Sequence, residues 1–406
     1  MSSHPAPDGP DAGLPAQQQY RRPGPAGLYL AFVGLGTTGA VVPAAIPALA
    51  QLSGVPTALL LPAVPTLFAG LFVGVAVSPA VAHRTGTRRT VAAGALLQAL
   101  ALWTLAAAGA VGGAGVVIAA AGVAGIGFGT VEAGGTALTR VLRASTSGTL
   151  TGLTAVTALT AAGTPLALVA AGPDGVGLVL GAVTVPHLLA AAALLRSSDA
   201  PPAPLVARSA DGLTRTTRWT AIALFCYVGA ETLLSGWSAA LTQAALGLSA
   251  QTAAVGTSAF WILLATGRLL ALAATRRGAE PRTVLAVCQI GSATSLAAGV
   301  ATTAVLPGAV VVPAILVGSS VALMGPCYAL LLGRGVDAAN ERSASSTAAA
   351  LVAAGALGGA VWAAAVAGTP APLQLVTVAL AACLAMTASR LAAGRSASTG
   401  TRGAGD

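Results

Sequence analysis

Lysine is absent from this 406-residue chain, and charged residues of all kinds amount to 8%. A soluble globular domain carries about 25% charged residues. A surface of this size solvated by water on all sides is therefore excluded. Aromatic residues are only 4%, too few for a basic, ring-studded surface on which bases stack. The formal net charge of +9 would suggest nucleic acid in a soluble protein, but here the arginines sit in short hydrophilic gaps between apolar runs, and no nucleic-acid partner is expected. No GxxxxGK(S/T) phosphate loop occurs, which disfavours ATP-driven pumping within the chain. Neither HExxH nor GxSxG occurs either, and no enzymatic activity is expected. The histidines are His4, His83 and His187. The four cysteines, Cys226, Cys288, Cys327 and Cys383, all fall in apolar runs with no metal-ligand spacing. They read as small packing residues, and neither a metal nor a cofactor is expected.

What the chain has in abundance is apolar length. Hydrophobic residues make up 55% and the mean hydropathy is +0.84. A membrane helix needs about 20 mostly apolar residues, and twelve such runs can be placed. They cover 26–50, 57–81, 90–111, 114–138, 148–171 and 176–195, then 218–243, 252–275, 283–305, 309–332, 346–368 and 372–393. The frequent Gly (51) and Pro (24) suit membrane helices better than soluble ones. Residues 1–25 read as a disordered, Pro- and Gln-containing tail with no charged n-region, so a cleaved signal peptide is not expected. With the N-terminus inside, 19 of the 20 arginines fall in inner segments and the outer loops carry none. That is a strong positive-inside pattern. It implies a multi-pass protein of the cytoplasmic (inner) membrane with both termini cytoplasmic.

The longest internal gap, 196–217, is rich in Pro, Ser and Arg and separates six runs from six. The expected division is a tail (1–25), a first half (26–195), a linker (196–217), a second half (218–393) and a C-terminal tail (394–406). Shifting the first half by 193 positions sets "RRTV" (88–91) on "PRTV" (281–284), each opening a third run. Parallel six-span halves are a secondary-transporter architecture, with substrate bound between the halves near the midplane.

Several segments resemble the major facilitator superfamily, and within it the fucose permease-like branch. The seventh run reads "FCYVGAETLLSGW" (225–237), similar to that branch's seventh-helix signature. "GFGTVE" (127–132), "FWILLATGRLL" (260–270), "MGPCYALLLGRG" and "SSTAAALVAAGALGG" follow it in the fourth, eighth, tenth and eleventh runs. The fold implied is an all-α membrane protein of twelve helices in two six-helix halves. The segment "PAVAHRTGTRR" (79–89) resembles the superfamily's GxxxDRxGRR loop, which latches the cytoplasmic side. Arg84, Gly86 and Arg88 keep their positions and are the implied gating residues. His83 stands where an Asp is usual, and Pro79 stands for the first Gly. The resemblance also marks Thr38 and Gly39, in place of the branch's first-span acid, and Thr136, in place of a small Asn; Thr38 and Thr136 are taken as cavity positions.

Only two acidic residues lie inside runs, Glu132 and Glu231. A charged carboxylate at a helix centre costs about 2.5–3.5 kcal/mol on the insertion scale, so such residues face a cavity or a partner. Either can carry a proton or bond a polyol; the bland alternative is an internally paired carboxyl that holds helices together. The resemblance implies that the first, fourth, seventh and tenth spans line the cavity, and both glutamates lie there. Arg268 lies within the eighth run, placed either to snorkel towards Arg276 and Arg277 or to pair at a gate. Tyr227 and Glu231 are four apart and share a helix face. Trp237 leaves that face unless Gly236 breaks the helix, and Trp261 and Tyr328 also lie in runs. These four aromatics are candidate cavity residues, with lipid-interface packing as the alternative. His187 reads as a structural histidine.

Two functions follow. The first is proton-coupled uptake of a small sugar-like solute by alternating access, with protons, the solute and the lipid bilayer as partners and the chain acting as a monomer. The second is proton-antiport export of a hydrophobic or cationic compound, suggested by the Ala/Val-rich spans and the missing first-span acid.

Overall fold

The computed structural model describes residues 26–60, 62–111, 113–139, 146–196, 214–246, 254–306, 308, 311–339, 343–366 and 371–393. The first half holds α1 (Ala26–Ser53), a single turn α2 (Thr57–Leu60), α3 (Ala63–Thr85), α4 (Thr87–Val111), α5 (Ala114–Leu138) and α6 (Thr146–Ala171). It closes with a sixth span in two pieces, α7 (Val176–Ala182) and α8 (Val185–Leu195). The second half holds α9 (Arg215–Leu246), α10 (Ala254–Arg276) and α11 (Pro281–Val305). A tenth span follows in two pieces, α12 (Val311–Met324) and α13 (Cys327–Asp337), and then α14 (Ala344–Val366) and α15 (Ala371–Ala393). Among the described residues, nine helical stretches are long and apolar enough to cross a membrane. Shorter apolar stretches lie in α14 and α15, and α9 runs for 32 residues. The architecture is the twelve-span, two-half bundle.

Helix is the only economical choice here. In hydrocarbon every backbone N–H and C=O must find a partner within the protein. Threonines add to the internal account: Thr151, Thr154, Thr157, Thr160 and Thr164 of α6 each donate to a carbonyl one turn earlier. Large apolar side chains such as Leu178, Val311, Ile315 and Leu270 are exposed, as lipid-facing positions must be.

The second span departs most from the sequence reading, beginning at Ala63 rather than 57 and ending at Thr85 rather than 81. Pro62 sits at its N-cap, and a proline has no N–H to continue the preceding turn. At the other end the helix carries His83 and Arg84 in its last turn and stops at Gly86, whose φ of 91° is the left-handed region open to glycine. The chain then re-enters helix at Thr87.

The helices of each half pack in a repeated pattern. In the first half α3 lies on α5 and α1 on α6; in the second α10 lies on α12 and α9 on α14. Glycine permits the backbones to touch within equivalent helix pairs. A Cβ on Gly125 or Gly129 of α5 would meet the Leu67 or Leu71 carbonyl of α3, and one on Gly267 of α10 would meet the Ala322 carbonyl of α12. Gly36 of α1 meets the Thr157 carbonyl of α6 in the same way, and Gly358 of α14 meets that of Phe225 on α9. The halves face each other along α6 against α10 and α13, and along α14 against α3 and α5. The largest apolar cluster runs through the second half and takes in Leu71, Val75, Ala133, Leu150 and Ala158 of the first.

One end of the bundle is the arginine face. Arg84, Arg88, Arg89, Arg196, Arg215, Arg218, Arg276, Arg277, Arg282, Arg334 and Arg390 all lie at helix ends there. At that face α6 and α13 close on each other: a Cβ on Gly333 would collide with the backbone and side chain of Ser147.

Candidate functional site

A cavity of about 200 Å³ lies between the halves. Its wall is mostly apolar and aromatic, with Phe32, Phe68, Phe128 and Trp261 among the lining. Its polar groups are Glu132 of α5, Thr154 and Thr157 of α6, Glu231, Thr232 and Ser235 of α9, Arg268 of α10 and Tyr328 of α13. Both intramembrane carboxyl groups thus face one space, from opposite halves.

Two sets of hydrogen bonds cross between the halves at this cavity. The Tyr328 hydroxyl, one residue into α13, donates to Glu132 Oε1 at 2.6 Å. The Arg268 guanidinium donates through Nη1 to the Thr154 carbonyl at 2.6 Å and through Nε to the Gly325 carbonyl of its own half at 2.8 Å. Its Nη2 lies 4.0 Å from Glu231 Oε1. Arg268 is buried, so it does not snorkel out to solvent. It lies eight residues before Arg276, roughly 12 Å along the helix at 1.5 Å per residue.

Why these groups meet is local chemistry. The tenth span is interrupted at Gly325-Pro326, and the ring of Pro326 leaves one backbone donor missing. At this interruption the Gly325 carbonyl accepts from Arg268 and the Met324 carbonyl accepts from the Tyr227 hydroxyl at 3.1 Å. Tyr227 and Tyr328 stand with ring centroids 6.1 Å apart. The close contact of α5 with α3 at Gly125 and Gly129 sets the helix that carries Glu132, one turn further on.

The structure brings together Glu132, Glu231, Arg268, Tyr328 and Trp261. Trp261 also meets Phe260 edge to face at 5.3 Å. Tyr227 lies outside the lining, buried, with its hydroxyl on the Met324 carbonyl. Thr38 is fully buried and turned away from the cavity: its hydroxyl meets His187 Nε2 at 2.9 Å. His187 Nδ1 in turn bonds the Val183 carbonyl at 2.8 Å, so the histidine packs α8 on α1. Thr136 is also fully buried outside the lining, and its hydroxyl has no hydrogen-bond partner among the described residues. The side chain of Trp237 lies outside the described residues. Of the loop positions, Arg84 is exposed, Arg88 is buried and Gly86 makes the turn; none of them touches the cavity. Among the described residues no cluster of His, Cys, Asp and Glu is arranged to hold a metal ion.

The sequence reading missed the partners more than the players. The carbonyls of Thr154 and Gly325 carry no signal in the letters, although "MGPC" marks the interruption. The phenylalanines of the wall read simply as hydrophobic.

No protein-family model and no curated protein sequence matches the chain. Its likeness is to solved structures. The fucose:proton symporter FucP of E. coli aligns at 16% identity over 91% of this chain and 98% of its own, with a TM-score of 0.69. The proton:xylose symporter XylE bound to 6-bromo-6-deoxy-D-glucose aligns at 15% identity over 89% and 93%, with a TM-score of 0.73. FucP in an outward conformation gives 17% identity and a TM-score of 0.64, over 90% of this chain and 98% of that one. The chain therefore has the fold of the major facilitator superfamily of membrane transporters.

Proposed function

We propose that the protein is a proton-coupled secondary transporter that takes up a small sugar-like solute by alternating access. The single observation that carries this reading is the Tyr328–Glu132 bond across the two halves. It links the state of a carboxyl group in the cavity to contact between the halves. An ionised Glu132 accepts a charge-assisted bond, roughly twice as strong as a neutral one. This bond favours the form closed at the arginine face. Protonation of Glu132, together with a solute hydroxyl competing for its oxygens, weakens the link and lets the halves rock. The proton then leaves towards the other side with the solute. Arg268 adds a second tie, and its charge balances Glu231 from 4.0 Å. The likeness to sugar:proton symporters supports the solute class.

The arginine distribution supports an inner-membrane location with this face cytoplasmic and both tails on the same side; a monomer is the proposed working unit. Arg84, Gly86 and Arg88 then form the cytoplasmic turn, placed to guide closure from outside the cavity.

One observation favours the second reading, export of a hydrophobic or cationic compound. The cavity offers acceptors but few free donors. Thr154, Thr157 and Ser235 give their protons to backbone carbonyls, Tyr328 gives its own to Glu132, and Arg268 is engaged on two carbonyls. Aromatic walls beside carboxylates suit an organic cation. The test is purified protein in liposomes loaded with a pH dye, challenged with gradients of a sugar panel and then of lipophilic cations. Proton entry with a sugar gradient supports uptake. Proton movement opposite to a cation supports export. Proton movement with neither panel removes the proposal.

A further inference from the structure

Tyr227 has the marks of a functional residue without a place in the cavity. It is buried, its hydroxyl is bonded, and it lies four residues from Glu231, yet it does not line the cavity. Its bond goes to Met324 O, the last carbonyl of α12. The next carbonyl, Gly325 O, is held by Arg268, and the third residue in line, Pro326, has no donor of its own. On the far side of the interruption Gly325 presses on the Leu264 carbonyl of α10. The interruption is thus gripped from two helices of its own half. Beyond it, α13 bears two contacts with the other half at different depths: Tyr328 on Glu132, and Gly333 against Ser147. Five residues separate Tyr328 from Gly333, roughly 7.5 Å along the helix.

We propose that Tyr227 is a positioning residue for a gate formed by α13, holding the interruption at Gly325-Pro326 in the shape that seats Gly333 against Ser147. The proposal rests on the alternating-access reading. A helix interrupted by proline lacks part of its own hydrogen-bond ladder, and its free carbonyls are where an outside donor sets the bend. The Tyr227 hydroxyl is such a donor. Arg268 is the other, but it also reaches Thr154 in the first half. Tyr227 therefore sets the bend from within the second half alone.

The test uses the full chain in nanodiscs, where both faces meet solvent. Cys226, Cys288, Cys327 and Cys383 are replaced by serine or alanine, and Ser147→Cys is labelled with a water-soluble maleimide. Ser147 is buried in the closed gate, so labelling reports gate opening. Tyr227→Phe removes the hydroxyl that bonds the Met324 carbonyl and neighbours Glu231, and labelling should accelerate about 2- to 10-fold. Ala63→Cys, buried at the opposite face, should label at its parental rate, since the fold as a whole is not loosened. Gly333→Val calibrates the assay, because a side chain there cannot share space with Ser147. If Gly333→Val accelerates labelling and Tyr227→Phe does not, the role of Tyr227 is overturned while the gate stands. If Tyr227→Phe accelerates both sites equally, Tyr227 is a general packing residue and the proposal fails. If Gly333→Val leaves the rate unchanged, the alternating-access reading of this contact fails, and the proposal with it.

Discussion

Replacing Tyr328 by phenylalanine removes one oxygen atom and leaves the ring. That atom donates to Glu132 at 2.6 Å across the halves. Hydrogen bonds to charged groups contribute about 1.5–3 kcal/mol. In the proposed cycle this bond exists only while the arginine face is closed, so its whole worth enters the closed-to-open equilibrium. At 1.4 kcal/mol per factor of ten, the open form should gain about 10- to 150-fold. A parent with 1% open protein would move to roughly 10% at the lower limit and to about 60% at the upper one. Spin labels on Thr85→Cys and Ala338→Cys, exposed at the arginine face on opposite halves, report the separation by double electron–electron resonance. A new, longer distance should appear in Tyr328→Phe. An unchanged distribution, with Gly333→Val giving the longer distance as control, would refute the idea that this bond holds the halves together.

Further variants address the remaining parts. Glu231→Gln should impair proton-linked transport while membrane expression stays intact; fully coupled transport would remove Glu231 from the proton path. Arg268→Ala should lower turnover at least tenfold, because it removes hydrogen bonds from a cationic donor to two carbonyls. Arg268→Lys should not restore it, since a single ammonium lacks the planar fork that reaches Gly325, Thr154 and Glu231 together. Wild-type turnover in both would return Arg268 to a passive role. Gly267→Val should cost about 1–3 kcal/mol or more of stability through overpacking, because its Cβ would meet the Ala322 carbonyl. A lower melting temperature in detergent is the readout, and unchanged melting would contradict the close backbone contact.

Much of the fold was legible because a bilayer imposes one length scale on every span. The fourth run was expected at 114–138, and α5 covers Ala114–Leu138. The second run went astray for a local reason: its apolar letters begin before Pro62, and hydropathy does not register a missing N–H. The kinship of the two halves is faint in letters but plain in where glycines let backbones touch, at Gly74 of α3 against α5 in one half and at Gly267 of α10 against α12 in the other. The site was legible as chemistry and less so as geometry. An acid inside a membrane span announces itself by its cost, and both glutamates face one cavity. The partner of Glu132 is Tyr328, 196 positions away, and no spacing rule links them. The four-residue spacing of Tyr227 and Glu231 does place them on one helix face. The Tyr227 hydroxyl lies beside Glu231 and donates to the Met324 carbonyl on the neighbouring span. Thr38 shows the converse: of the two positions inferred from resemblance, Gly39 lines the cavity, while Thr38 bonds His187 between helices of the first half.

The most direct measurement compares the parent with Glu132→Gln in liposomes, using a solute that moves protons in the parent. Glutamine keeps an acceptor oxygen for Tyr328 and cannot take up a proton at that site. Glu132→Gln should still exchange labelled solute across the membrane but no longer accumulate it when an inward proton gradient is imposed. Accumulation at the parental level would contradict the claim that Glu132 joins proton movement to the rocking of the two halves.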